Sequence, residues 1–179
     1  MCSKLNGLVK LVFISCLVLE ITSKLEWTNI KCSSMDESFC VMEYCYIKPI
    51  NRTYKYISIK AKLLKTPVTK IKLNFAMYKR VNGYLPFLYN ITVDSCRFLK
   101  NTTSQPIAKF FYELFKSHSN MNHTCPYDHD IIIDKLSTSY LNYKLTEVLP
   151  VPEGQYLVQT NWYAYDILRV SVGFYVNIS

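Results

Sequence analysis

The sequence predicts a mainly β protein, an antiparallel β-sandwich with one inserted amphipathic helix. The composition indicates sheet, because tyrosine is frequent, at 15 residues, and glycine is rare, at 4 residues in 179. Apolar and polar residues alternate along most of the chain, which is the period of a half-buried strand. One segment has the helical period instead. Several half-buried strands separated by short turns are typical of a sandwich.

The alternation delimits the strands. It is clearest in YISIKAKLLK and KIKLNFAMYK, two tracts separated by a turn at Thr66-Pro67. Asn82-Gly83 marks a hairpin before PFLYNITVD, because this pair suits a tight turn between antiparallel strands. The predicted strands in chain order are 26–32, 39–48, 56–65, 70–79, 86–94, 131–136, 140–149, 156–166 and 169–178.

The helix is predicted over the tract SQPIAKFFYELFKSHS. Its apolar residues follow i, i+3, i+4, i+7, i+8 spacing, so they share one face of a helix. Pro106 suits the first turn, where its missing N–H costs no hydrogen bond. The apolar face consists of Ile107, Phe110, Phe111, Leu114 and Phe115.

Residues 1–23, MCSKLNGLVKLVFISCLVLEITS, predict a secretory signal peptide. Lys4 and Lys10 give a basic start, the run 11–19 is apolar, and small residues follow it, which is the order of features in such peptides. The apolar run is too short to cross a bilayer, since a spanning helix needs about 20 residues. We therefore expect residues 24–179 to form a single secreted, extracellular domain.

Five cysteines remain in that domain, in an oxidising compartment where disulfides persist. Their spacing leaves the connectivity open. If 39–48 is a strand, Cys40 and Cys45 face opposite sides of it and are poor partners. We favour the pairs Cys32–Cys45 and Cys96–Cys125, with Cys40 left unpaired.

Sequons for N-glycosylation agree with export. They fall at Asn51, Asn90, Asn101 and Asn122, with a fifth at Asn177 close to the end of the chain. A glycan must point outward, so we expect the first four asparagines to lie on the surface and to be modified.

The tract NHTCPYDHD, residues 122–130, has three competing interpretations: a metal site, a catalytic group, and a disulfide-pinned structural loop. His123, Asp128, His129 and Asp130 are ligand types that zinc accepts, but the consecutive side chains diverge. Cys125 is the nearest nucleophile, yet an oxidised cysteine offers no thiolate. We therefore predict a structural loop, and we expect no enzyme, no metal and no cofactor.

Long tracts of the chain resemble a large insect family of secreted proteins filed as a domain of unknown function. They include WTNIKCSSMDESFCVMEYCYIKPINRTYKYISIK, LLKTPVTKIKLNFAMYKRVNGYLPFLYNITVDSCRFLKN, MNHTCPYDHDIIIDKL and VLPVPEGQYLVQTNWYAYDILRVSVGFYV. That family is similar to the ML lipid-recognition domains, which include ganglioside-activator and sterol-transfer proteins, and to insect chemosensory CheB-type proteins. The resemblance implies an immunoglobulin-like, ML-like sandwich over residues 24–179 that holds an apolar ligand, with a chemosensory role as one use. It also places the family's four usual cysteines at Cys32, Cys45, Cys96 and Cys125.

The first functional hypothesis is therefore a binder or carrier of a lipid or other apolar small molecule. Alternation predicts which side chains face inward, but it does not distinguish a packed interior from a hollow one. Trp162 fits a sandwich core as well as a ligand-stacking platform. The predicted pocket walls are Ile57, Ile59, Leu73, Phe75, Phe87, Tyr89, Phe110, Phe111, Leu114, Trp162 and Phe174, with Phe115 on the same helix face.

The second hypothesis is an extracellular protein-interaction module with no ligand of its own. If 56–65 and 70–79 are neighbouring strands, their polar faces meet and their lysines form one basic stripe, which would suit an anionic membrane surface or a receptor. A solvated face is the simpler interpretation of the same residues. Despite a net charge of +8, we expect no nucleic-acid partner for a secreted chain. The stripe would consist of Lys60, Lys62, Lys70 and Lys72.

Overall fold

The computed structural model describes residues 24–52, 54–148 and 151–179. Within these ranges, nothing is stated about the side chains of residue 143 and residues 146–148. The predicted signal peptide, residues 1–23, lies outside the described residues.

The described chain contains eight β-strands and three α-helices. In chain order they are β1 (Leu25–Ser34), β2 (Cys40–Pro49), β3 (Lys55–Leu63), β4 (Ile71–Arg80), β5 (Tyr84–Asp94), α1 (Ser95–Lys100), α2 (Pro106–Glu113), β6 (Ile131–Ser137), α3 (Thr138–Val148), β7 (Gly154–Ala164) and β8 (Ile167–Ile178). Short 3-10 turns at Thr102–Ser104 and Lys116–His118 flank α2.

The strands form two antiparallel sheets that face each other. One has the order β1-β8-β7-β4-β5, and the other has the order β2-β3-β6. Alternate residues of both sheets enter a shared core, in which Ile57 and Tyr156 are fully buried. This arrangement confirms the predicted immunoglobulin-like antiparallel sandwich, with α2 as the predicted amphipathic helix.

The two sides of the sandwich are closed in different ways. On one side, the disulfide between Cys32 and Cys45 joins β1 to β2. On the other side, β5 and β6 are edge strands of different sheets, and α2 with the residues after it lies between them. Phe111 of α2 packs on Phe75 and Tyr89, while the Asn120 N–H donates to the carbonyl of Ile132 in β6.

The predicted strand 140–149 is wrong, because residues 140–148 belong to helix α3, while residue 149 lies outside the described residues. The hydroxyl of Ser137 accepts a hydrogen bond from the Tyr140 N–H at 3.3 Å, which is the bond that an N-cap serine makes with the third helical residue. Leu141 and Leu145 are four residues apart and both contact the core. A cap followed by apolar residues one turn apart favours helix over strand.

Helix α1 was also not expected from the sequence pattern. The Asp94 carboxylate accepts from the Arg97 N–H at 2.9 Å and so caps this single-turn helix. Its Phe98 is buried against Val93 and Tyr112. The turn therefore redirects the chain from β5 toward α2 while covering the end of the core.

Candidate ligand cavity

A cavity of about 610 Å³ lies between the two sheets. Its walls come from both sheets and from all three helices, and nearly all of its lining side chains are apolar. Protein interiors are normally packed to the density of organic crystals, with few voids larger than a water molecule. The interior of this sandwich is therefore hollow, which alternation alone did not decide.

Seven of the eleven predicted wall residues line this cavity, and so does Phe115. They come from strands of both sheets, from α2 and from the two residues that follow α2. Helix α2 reaches the cavity through Phe111, whose ring centroid lies 3.8 Å from that of Phe75 on β4. The seven are Ile59, Leu73, Phe75, Phe111, Leu114, Trp162 and Phe174.

The other four predicted wall residues do not line the cavity. Ile57 has no exposed surface and packs wholly within the core. Phe110 packs edge-on against Phe111, at 5.2 Å between centroids, and lies outside the lining. Ile57 was included because alternation predicts the direction of a side chain but not its distance from the centre. Phe110 was included because helical spacing does not show which part of the apolar face meets the cavity. Phe87 and Tyr89 do not line the cavity for a different reason, which lies in strand β5.

Strand β5 has an irregularity that displaces Phe87 and Tyr89. The pairing of β5 with β4 shifts register between Ala76 and Tyr78, and Leu88 has a positive φ of 59°. Such a bulge leaves extra residues on one strand and bends it locally. Phe87 consequently packs on Tyr156 at 5.5 Å, and Tyr89 packs on Phe111 at 5.7 Å.

Several lining residues were missed by the sequence analysis. Helix α3 contributes Leu141 and Leu145, and β1 contributes Leu25 and Trp27. The spacing of the two leucines was the available signal for α3. The two β1 residues alternate regularly, but the predicted strand 26–32 was not assigned an inward face.

Arg169 is the one charged residue among the described residues that line the cavity. Its guanidinium forms a salt bridge with Asp36 and lies 4.2 Å above the ring of Phe39. The pKa of the Asp36 carboxyl is lowered, chiefly because the Ser38 hydroxyl donates to it and also because Arg169 is adjacent. The positive charge is therefore already neutralised within the protein.

The polar atoms of the cavity wall are few, and most of them have partners. Asn142 accepts from the Leu25 N–H at 2.6 Å, and Trp162 Nε1 donates to Thr160 Oγ1 at 3.0 Å. Trp27 is the exception, because its buried Nε1 has no hydrogen-bond partner in the described chain. An unpaired buried donor costs free energy unless something else satisfies it.

Cys40 is free and buried, and its side chain also lines the cavity. Burial raises the pKa of this thiol to about 11. The group is therefore protonated near neutral pH, and a protonated thiol is a poor nucleophile. The other four cysteines in the described residues form the disulfides Cys32–Cys45 and Cys96–Cys125, the two pairs favoured from the sequence.

The NHTCPYDHD loop is held at several points. Cys125 bonds to Cys96 at the start of α1, and Tyr127 exchanges backbone hydrogen bonds with Val68. Asp130 accepts from the Leu63 N–H at 3.2 Å and forms an ion pair with Lys60. In the described residues, no group of three or more His, Cys, Asp or Glu side chains is placed to hold a metal ion.

The predicted basic stripe is wrong, because its lysines do not share a face. Strands β3 and β4 belong to different sheets, so the chain crosses between sheets at residues 64–70 instead of making a hairpin. Lys60 on β3 pairs with Glu43 at 2.9 Å. Lys72 on β4 and Lys70 just before that strand both pair with Asp166 and lower the pKa of that carboxyl to about 2. Lys62 is exposed on the β3 side, apart from those two.

Asn51, Asn90, Asn101 and Asn122 are all exposed. Their glycosylation stays a prediction. None of the helices in the described ranges combines the length and the hydrophobicity that crossing a membrane would require.

The chain matches one protein-family model and several solved structures. Residues 73–158 match the family model described as protein of unknown function (DUF1091). A Niemann-Pick type C2 protein from the Japanese carpenter ant is similar in structure, with 14% sequence identity and a TM-score of 0.30, covering 85% of this chain and 90% of that one. No curated protein matches the sequence. The TM-score is too low for that protein's properties to be transferred to this chain.

Proposed function

We propose that this protein binds and carries a neutral, apolar small molecule of the lipid class. The observation that supports the proposal is the cavity of about 610 Å³ with its apolar walls. Its volume falls in the range of small-molecule sites, about 300–1,000 Å³. Apolar cavities of this kind exclude water and accept apolar guests. A packed interior would be more stable, so the retained space argues for an occupant.

The charge of the walls favours an uncharged ligand. A carboxylate or phosphate transferred into an apolar cavity loses its hydration and needs a cationic partner. Arg169 is the one such cation among the described lining residues, and Asp36 and Phe39 already contact it. A fatty-acid anion would have to displace Asp36 from Arg169. An uncharged ester, alcohol or hydrocarbon can enter without breaking that ion pair.

Trp27 offers no polar contact to a ligand in the cavity, because its unpaired Nε1 is buried within the wall. The proposed class is therefore a long apolar molecule without a charged group.

The experiment is a matched competition. The delipidated protein is loaded with N-phenyl-1-naphthylamine, whose fluorescence rises in apolar surroundings, and is then titrated with methyl oleate or oleate. Methyl oleate should displace the probe at a concentration at least about tenfold lower, because burying the unpaired carboxylate costs well over 1.4 kcal/mol. Equal displacement would contradict the preference for neutral ligands, and failure to take up the probe or either lipid would contradict the proposed function.

The alternative function was an interaction module that uses a basic sheet face. It is not supported, because the predicted stripe of lysines does not exist on one face. Lys60 lies on one sheet, and Lys72 lies on the other, with Lys70 just before its strand. Secretion is supported by the two disulfides, which persist in oxidising compartments. Secretion itself, a chemosensory role, and membrane or receptor partners stay predictions.

A further inference from the structure

The loop between α2 and β6 brings two histidines together. The Nε2 atom of His123 lies 2.8 Å from the Nε2 atom of His129. His123 is exposed and His129 is half-buried. Two Nε2 atoms that face each other at this distance need a proton or a metal ion between them, since two lone pairs repel.

The first ring has a defined tautomer. His123 Nδ1 lies 2.7 Å from the carbonyl oxygen of Thr124. A carbonyl can only accept a hydrogen bond, so Nδ1 carries the proton. His123 Nε2 is consequently an unprotonated lone pair directed at His129.

The proton of the second ring has a hydrogen-bond acceptor in either tautomer. His129 Nδ1 lies 2.8 Å from the carbonyl oxygen of Asp130 and 3.0 Å from the amide nitrogen of Asn120. The Asn120 amide is oriented by the Ile132 N–H, which donates to its Oδ1 at 2.9 Å. With its proton on Nε2, His129 donates to His123 and accepts from Asn120. With its proton on Nδ1, it donates to the Asp130 carbonyl and offers Nε2 as a second lone pair.

The supporting structure holds both rings in place. The Tyr127 ring packs against both imidazoles, at 4.6 Å from His123 and 5.5 Å from His129. Its hydroxyl donates to the His123 carbonyl at 2.5 Å. Tyr127 is itself buried. The pair is therefore built on an anchored element and not on two freely moving surface side chains.

We propose that His123 and His129 bind a divalent copper or zinc ion through their Nε2 atoms, with water completing the coordination. Ligating histidines commonly donate their other ring N–H to a backbone carbonyl, as Thr124 and Asp130 allow here. Metal–nitrogen distances of about 2.0–2.1 Å require the two nitrogens to be about 3.3 Å apart around a tetrahedral zinc ion and about 2.9 Å apart at adjacent corners of a square copper ion. The rings face each other head-on, with 5.1 Å between their centroids, so binding requires both rings to turn toward a shared ion as well as to separate.

This site differs from the one considered for the sequence. Asp128 and Asp130 do not take part, and Asp130 is engaged by Lys60 and the Leu63 N–H. The two histidines meet across the turn, six residues apart. With two protein ligands the site keeps open positions, so it is expected to bind metal more weakly than a closed structural zinc site.

The test uses the full secreted protein after dialysis against EDTA. It is titrated with Cu²⁺ or with Zn²⁺ by calorimetry, and the Cu²⁺ form is examined by electron paramagnetic resonance. We expect one ion per chain and a hyperfine pattern from two nitrogens. His123→Asn and His129→Asn should each weaken binding by more than about tenfold, the loss that even an outer partner of a metal ligand can cause.

His118→Asn is the matched control, because His118 is the one other histidine in the chain and should leave metal binding unchanged. Circular dichroism and thermal unfolding without metal establish that each variant is folded. Absence of stoichiometric binding by the folded wild-type protein would overturn the proposal and leave the pair as a shared-proton hydrogen bond. Equal binding by wild type and both loop variants would overturn it as well.

Discussion

The ring of Phe111 on α2 stacks on the ring of Phe75 on β4, with 3.8 Å between their centroids, and both side chains line the cavity. The helix is thus attached to the five-stranded sheet by the same surface that encloses the cavity. Because α2 occupies the side of the sandwich between the edge strands β5 and β6, it is the element whose displacement would open that side.

Phe111→Ala should accelerate the exchange of ligand. The substitution removes a ring that joins α2 to the sheet, so the helix should detach more often. Dissociation of N-phenyl-1-naphthylamine, followed by stopped-flow fluorescence, should become several-fold faster. The free energy of unfolding should fall by about 2–3 kcal/mol, less than for a fully buried ring.

Phe110→Ala is the control for that change, since Phe110 is the neighbouring half-buried ring of α2 and does not line the cavity. It should lower stability to a similar extent and leave the dissociation rate close to that of wild type. If both variants changed exchange equally, general loosening of α2 and not the Phe75–Phe111 contact would control access.

Filling the cavity should reduce binding without unfolding the protein. Val93 lines the cavity at the end of β5, and Leu85 near the start of the same strand is exposed and does not line it. Val93→Phe places a ring into free space, so the usual overpacking cost of about 1–3 kcal/mol should be reduced. Lipid capacity measured by fluorescence titration should fall for Val93→Phe and stay unchanged for Leu85→Phe. Undiminished capacity in Val93→Phe would mean that ligand binds elsewhere.

Cys40 should resist alkylation in the folded protein. At pH 8 a pKa of about 11 leaves roughly one thiol in a thousand ionised, against roughly one in ten at the ordinary value of 9.0. Iodoacetamide should therefore label unreduced protein slowly when folded and rapidly in guanidinium chloride, at one cysteine per chain by mass spectrometry. Labelling at equal rates in both states would contradict the buried position.

The raised pKa of the Cys40 thiol makes the stability of the protein depend on pH. Because folding raises the pKa of Cys40, the thiol's contribution to stability is complete below about pH 9 and is lost as the pH rises through about 11. Cys40→Ala should therefore make the free energy of unfolding, measured with urea, less dependent on pH between 9 and 11. If the free energy of unfolding of Cys40→Ala fell between pH 9 and 11 as steeply as that of wild type, the ionisation of another group would be responsible for the loss of stability.

The two disulfides should have separable effects. In the chain-entropy model, loops of 13 and 29 residues contribute about 3 and about 3.6 kcal/mol to stability. Replacing Cys32 and Cys45 together by serine should lower stability with little change in ligand exchange. Replacing Cys96 and Cys125 should lower stability and also accelerate exchange, because that bond holds the segment containing α2. Identical exchange rates in the two double variants would argue against α2 as the access route.

The strands could be predicted because alternation is a local property of the chain. Tracts such as YISIKAKLLK and RVSVGFYVNI carry it without interruption, and the structure places strands there. The connection between β3 and β4 could not be predicted in the same way. A turn at Thr66-Pro67 is compatible with a hairpin and with a crossing to the facing sheet, and only the packing of both sheets decides between them.

The site was less accessible to prediction than the fold. Alternation assigned inward faces to Leu73 and Phe174 correctly but could not reveal a hollow interior, since a filled core has the same pattern. Leu88 has a side chain and yet adopts a positive φ, so no glycine marked the bulge that displaces Phe87 and Tyr89. The meeting of His123 and His129 depends on how the loop closes, which the order of residues does not specify.

Native mass spectrometry of the protein from a eukaryotic secretion culture tests the central claim most directly. The account predicts that the chain retains one neutral apolar molecule, released on collisional activation and recoverable by solvent extraction, or that delipidated protein takes up one molecule of methyl oleate. Val93→Phe should retain less. A chain that arrives empty, and stays empty after incubation with methyl oleate and with a sterol, would contradict the account.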